Sequence, residues 1–114
     1  MDVPPELEEK IARLQMIEQN VQVFSSQRQQ FHMQMTEIEH ALKELEKAKD
    51  KPFRIVGNLM IAAEAGELKK ELTSQKEVVE LRIKSLEKQE SQLREKAESL
   101  QKEVVGALQH KGGK

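Results

Sequence analysis

The sequence predicts a mainly α fold, a long antiparallel two-helix coiled-coil hairpin with a single central β-hairpin that joins an oligomeric β-barrel. Three observations carry this. Apolar residues step by three and four along two arms of nearly equal length, and a ten-residue segment from Phe53 to Ala62, two short β-favouring runs around Gly57-Asn58, interrupts them at the centre. All three prolines (Pro4, Pro5, Pro52) and all five glycines (Gly57, Gly66, Gly106, Gly112, Gly113) stand at the ends of the arms or between them. The expected organisation is one domain over 1–114, with helices over 3–50 and 66–109, a hairpin over 53–62 and a flexible tail over 110–114.

In the first arm, Asp2 is suited to cap a helix whose first turn tolerates Pro4 and Pro5, and no further Gly or Pro follows until Pro52. That leaves room for a helix of roughly 60 Å at ~1.5 Å per residue. Leu14, Ile17, Val21, Phe24, Phe31, Met35, Ile38, Leu42 and Leu45 form a heptad seam with Arg28 as its one polar interruption. Continued backwards the seam meets Lys10 and Leu7, with Val3 and Ile11 on its flanks.

At the centre, Phe53-Arg54-Ile55-Val56 and Leu59-Met60-Ile61-Ala62 flank Gly57-Asn58, a pair suited to a two-residue primed turn with Gly first. Pairing across that turn puts Phe53, Ile55, Met60 and Ala62 on one face and Arg54, Val56, Leu59 and Ile61 on the other. Only Arg54 is polar, so both faces need cover, and a lone two-stranded ribbon is marginal in water. Hairpins from several subunits joining edge to edge would supply the cover and remove the open edges.

In the second arm Leu72, Val79, Leu86, Leu93, Leu100 and Ala107 recur every seven residues, with Ile83, Ala97 and Val104 four positions further on and Lys76 and Glu90 interrupting that second row. A sustained seven-residue repeat calls for a left-handed supercoil. Glu6 with Lys10, Glu39 with Lys43, Glu80 with Lys84 and Glu98 with Lys102 are spaced for helical ion pairs, each contributing ~0.2 to 0.5 kcal/mol. Antiparallel pairing of the arms makes opposed residue numbers sum to about 115 and brings the termini together. In that register Arg28 lies near Glu87 and Glu90. It either forms an alignment-fixing ion pair with one of them or extends to water along its apolar stem.

Composition narrows the function. Of 114 residues 34% are charged, and the only aromatics are Phe24, Phe31 and Phe53, so the bulky side chains of a globular core are missing. A balance of 19 basic against 20 acidic residues gives no broad attraction to nucleic acid or anionic lipid. No apolar run suits a membrane span, the N-terminus has no signal-peptide pattern, and the lack of cysteine fits a reducing compartment; a cytoplasmic location is expected.

Catalytic, cofactor-binding and metal-ligating residues are not expected. His32, His40 and His110 include no pair four apart, and the single Glu37-x-x-His40 falls short of an inward-facing di-iron set. A phosphate-binding glycine loop and a nucleophile with a His base are both lacking. The segment Pro5 to Leu14 is mixed in charge, unlike the basic region of a zipper transcription factor.

Two segments resemble the beta-type subunit family of prefoldin, a hexameric co-chaperone: V-G-N-L-M-I at Val56 to Ile61, and L-R-I-K-S-L-E-K-Q-E-S-Q-L at Leu81 to Leu93. The Pro-Pro start and Gln-rich first arm fit as well, while Lys49-Asp50-Lys51-Pro52-Phe53 departs from the family's usual acidic approach to the first strand. The resemblance implies two alpha-type and four beta-type subunits sharing a β-barrel body. It also implies capture of unfolded polypeptides at the arm tips and delivery to a group II chaperonin without ATP hydrolysis. Phe53, Ile55, Val56, Gly57, Asn58, Leu59, Met60 and Ile61 would be the oligomerisation hairpin.

Independently of the family, Val3, Leu7, Ile11, Val104, Val105 and Leu108 gather at the far tip in the expected register, and Gly106 should loosen the second helix there. They are candidate contacts for unfolded clients, several arms adding avidity; the plainer alternative is that they close the last turns of the coiled coil. A structural tether would explain both arms but not the doubly apolar hairpin, and a self-assembling prefoldin-like filament subunit would use the same parts with a different partner rule.

Overall fold

The computed structural model describes residues 4–112. Its elements run α1 (Pro5–Lys47), β1 (Phe53–Val56), β2 (Leu59–Ala62) and α2 (Ala65–Gly112). The start of α1 is fixed by the Pro4 carbonyl, which accepts from the amides of Leu7 and Glu8 at 3.0 Å. Residues lacking helical donors are tolerated in the first turn, so the two prolines mark a boundary rather than a break. Asp2, the expected cap, lies outside the described residues.

Both helix ends differ from their expected positions. The first stops at Lys47 instead of 50, with one further bond from the Ala48 amide to the Glu44 carbonyl at 2.9 Å. Pro52 biases the residue before it towards extended backbone, and the chain needs the intervening residues to turn into β1. The second helix continues to Gly112, past 109, because a helix already propagating needs only one bond per added residue.

The chain divides into two compact units, Met1–Arg28 with Ser85–Lys114, and Gln29–Lys84. Contacts between paired helices are local along their length, so burial is distributed along a seam instead of around one centre. In the first unit Leu7, Val21, Leu86, Leu100 and Val104 are buried, and in the second Ile38, Val79 and Ile83 form a core against which Phe31, Met35, Leu42 and Leu72 pack.

Within each unit the helices run antiparallel. Lys10 meets Glu103 at 3.6 Å and Arg28 meets Glu90 at 2.9 Å in the first; Glu39 meets Lys76 at 3.8 Å and Arg82 lies 5.5 Å from the Phe31 ring centroid in the second. These pairs follow the register expected from the heptads. Of the four expected Glu-to-Lys pairs only Glu98–Lys102 closes among the described residues, at 3.5 Å. Lys10 and Glu39 turn to the opposite helix instead, and Ala107, expected on the seam, is exposed.

The hairpin has the expected register, Phe53↔Ala62, Arg54↔Ile61, Ile55↔Met60 and Val56↔Leu59. Its turn has Gly57 at φ 61°, the left-handed region that an L side chain enters only at a cost, while Asn58 has no positive φ. That is the primed turn with Gly first, whose twist matches the strands. The Ala63 amide donates to the Pro52 carbonyl at 3.0 Å, adding a rung in which proline needs only to accept.

Candidate functional site

Two surfaces stand out, one in each unit. In the second unit the hairpin carries six large apolar side chains that are all exposed: Phe53, Ile55, Val56, Leu59, Met60 and Ile61. Their exposure ranges from 49% at Ile61 to 73% at Ile55, so neither face is covered. Strand alternation places the unpaired backbone groups of Phe53 and Ile55 along one edge, and those of Met60 and Ala62 along the other. Such a sheet is completed only by other strands.

The hairpin is nevertheless held to its unit. Arg54 on β1 donates to Glu71 of α2 at 2.6 Å, and Lys51 pairs with Glu64 at 3.2 Å. The hydrogen bond and charge of Glu71 hold the Arg54 guanidinium above its ordinary pKa, so the group is charged at any working pH. These contacts aim the Arg54 face towards the start of α2. The face bearing Phe53, Ile55 and Met60 has no such tie.

In the first unit the expected tip residues divide into two groups. Leu7 and Val104 are buried, at 5% and 8% exposure, and close the seam; Ile11 is half-buried on its flank. Val105 and Leu108 are exposed at 43% and 48%. Val105 borders a shallow groove with Gln101, Gly106 and Gln109, where the missing Gly106 side chain leaves open space. Val3 lies outside the described residues. Of the described tip candidates, Val105 and Leu108 are therefore the ones exposed without unzipping the helices.

Also in the first unit, Glu90 is 6% exposed and accepts from the Arg28 Nε at 2.9 Å. Of the two sequence readings, the ion pair is the one formed, and Glu90 rather than Glu87 supplies the bond. That bond, then the charge of Glu90, raises the Arg28 pKa above its usual value.

Sequence reasoning did not find the Arg54–Glu71 tie or the Arg82–Phe31 contact, since each involves an arginine that lies off the heptad seam. Among the described residues no three His, Cys, Asp or Glu side chains gather as metal ligands, and no helix is long and apolar enough to cross a membrane.

Long helices carrying a doubly apolar two-stranded hairpin define a class: an assembly subunit whose sheet is completed by its neighbours. Residues 8–111 match the family described as "Prefoldin subunit". The prefoldin subunit beta of Archaeoglobus fulgidus is 34% identical over 114 residues, covering 98% of each chain, and that of Methanosarcina acetivorans is 34% identical over 109 residues, covering 94% of this chain and 93% of that one. The crystal structure of the prefoldin beta subunit from Thermococcus strain KS-1 superposes with a TM-score of 0.85 at 29% identity, covering 94% of this chain and 96% of that chain. The chain belongs to the prefoldin subunit family, and so is a co-chaperone subunit.

Proposed function

We propose that this chain acts as the beta-type subunit of a cytoplasmic, ATP-independent holding chaperone, four copies assembling with two alpha-type subunits through a shared β-barrel. The observation that carries the reading is the hairpin apolar on both faces and exposed on both. Full burial of one large apolar side chain is worth about 1.5–3 kcal/mol, so six half-exposed ones represent several kcal/mol towards closing a barrel. Unfolded polypeptides are held at the arm tips, where Val105 and Leu108 are free, and are passed to a group II chaperonin. Weak single-arm contacts add up when several arms hold one client.

The test is to co-purify the chain with an alpha-type subunit and dilute a denatured protein into the complex without nucleotide, following light scattering. Suppressed scattering at near-equimolar hexamer is the expected result. A well-formed complex that leaves scattering unchanged would reduce the protein to a structural tether.

A further inference from the structure

The charges of the first unit are distributed unequally between its two helices. Residues 14–27 of α1 contain a single ionisable side chain, Glu18, whereas six of the fourteen residues 88–101 of α2 are charged. The seam positions of this stretch, Leu14, Ile17, Val21 and Phe24, are buried or half-buried, so the helix turns its remaining faces to solvent. Met16, Gln19, Asn20, Val23, Ser26 and Gln27 share one such face at helical spacing, and all six are exposed. Met16 is 64% exposed and Val23 53%. A helix face in water ordinarily carries charge, as the facing helix does; this one has amides, a hydroxyl and two apolar side chains.

The chemistry of the face selects its occupant. It has no cations for nucleic acid or anionic lipid. A second helix would need apolar residues at two positions of each heptad, but here one position, that of Met16 and Val23, is apolar and its neighbours are Gln, Asn and Ser. An unfolded polypeptide suits it better. Its main chain presents uncharged donors and acceptors in irregular order, and each Gln or Asn amide supplies both kinds of partner. Met adapts to varied apolar side chains. Leaving charge off the face also avoids desolvating an ion against a neutral chain and avoids repelling clients of either sign.

We infer that the exposed, charge-free face of α1 around Met16, Gln19 and Val23 is a second polypeptide-binding surface, distinct from Val105 and Leu108. It takes extended, uncharged client segments. This rests on the proposed holding function, and its test separates the two. In the complete complex with alpha-type subunits, a benzophenone photoprobe is placed at Met16 or Val23, with comparison probes at Val105 and at Lys96 on the charged helix. The client is reduced and alkylated lysozyme, which stays unfolded.

Client adducts are expected at positions 16, 23 and 105 and not at 96. The isosteric pair Gln19→Glu with Gln27→Glu, which adds charge without changing volume, should weaken client binding about fivefold with helicity and complex size unchanged. Adducts at 105 alone, with affinity unaffected by the glutamates, would overturn the inference and leave the holding function standing. Adducts from 16 and 23 only to other subunits would make the face an interface between copies and overturn it too. Silence at every position, with no client held, would remove both readings.

Discussion

The hairpin and the C-terminal stretch of α2 both present apolar side chains to solvent, but by different means and in different amounts. In the hairpin, period-two alternation in a strand with apolar residues on both faces leaves all six large side chains open, with two backbone edges beside them. At the helical tip, a seam absorbs Leu7 and Val104 and, of the described candidate residues, leaves Val105 and Leu108 exposed. The hairpin is fit for permanent burial, because exposing that much apolar surface and edge is a liability in a free chain. The helix end tolerates exposure indefinitely, since its backbone bonds are satisfied internally, and it suits a contact that must form and release.

The most severe way to break this contrast is to charge the hairpin. Ile55→Asp with Met60→Asp places two carboxylates on the face that has no tie to α2. Assembly with alpha-type subunits should weaken by more than about a hundredfold, because buried unpaired charges cost several kcal/mol. Analytical ultracentrifugation reads the loss of complex and circular dichroism the retention of helix. A complex of unchanged size would mean that the hairpin is not the assembly element.

Truncating the buried core of the hairpin's own unit comes next. Ile83 is 6% exposed between Ile38 and Val79, and Ile83→Ala should cost about 2–4 kcal/mol, visible as a fall in Tm on the order of ten degrees. Arg28→Ala sharpens the comparison in the other unit: it strands Glu90 in the seam and should lower Tm, while Arg28→Met with Glu90→Met should return close to the parent stability. Because Glu90 raises the Arg28 pKa, the contribution is complete below the guanidinium's ordinary value and is lost only as pH rises through the still higher folded value. The stability difference between parent and Arg28→Met should therefore be flat from about pH 7 to pH 10.

Smaller again is Gly57→Ala. Its φ of 61° costs an L residue about 1 kcal/mol even though no atom crowds the position. The loss should appear in assembly and not in the helical signal, since only the turn is strained.

Much of this was legible in the sequence because the signals are local. Seven-residue spacing placed Val79, Leu86 and Leu100 in the seam, Gly57-Asn58 set the hairpin register to the residue, and the same register brought Arg28 to Glu90. The tip was less legible. Whether Leu7, Val104, Val105 or Leu108 is buried depends on one or two residues of rotation at the end of a seam, where Ala107 still borders Leu7 and Lys10 but is already exposed. Ion pairs were the weakest guide, since Lys10 and Glu39 each had an acceptable partner on their own helix and took one across the seam. Spacing alone cannot rank two partners of similar strength.

The mildest change in stability tests the comparison most finely. Val105→Ser with Leu108→Ser trims side chains that are about half exposed, so Tm should fall less than for a buried pair. Leu7→Ala with Val104→Ala removes atoms from the seam and should cost about 2 kcal/mol or more. If exposed residues hold clients, the serine pair loses several-fold in affinity for denatured protein with its fold intact, and the alanine pair loses stability first. Titrating labelled, unfolded lysozyme into both complexes separates the cases. Equal loss of affinity in the two would mean that the helix end must open to bind, so that Leu7 and Val104 act as client contacts after release from the seam.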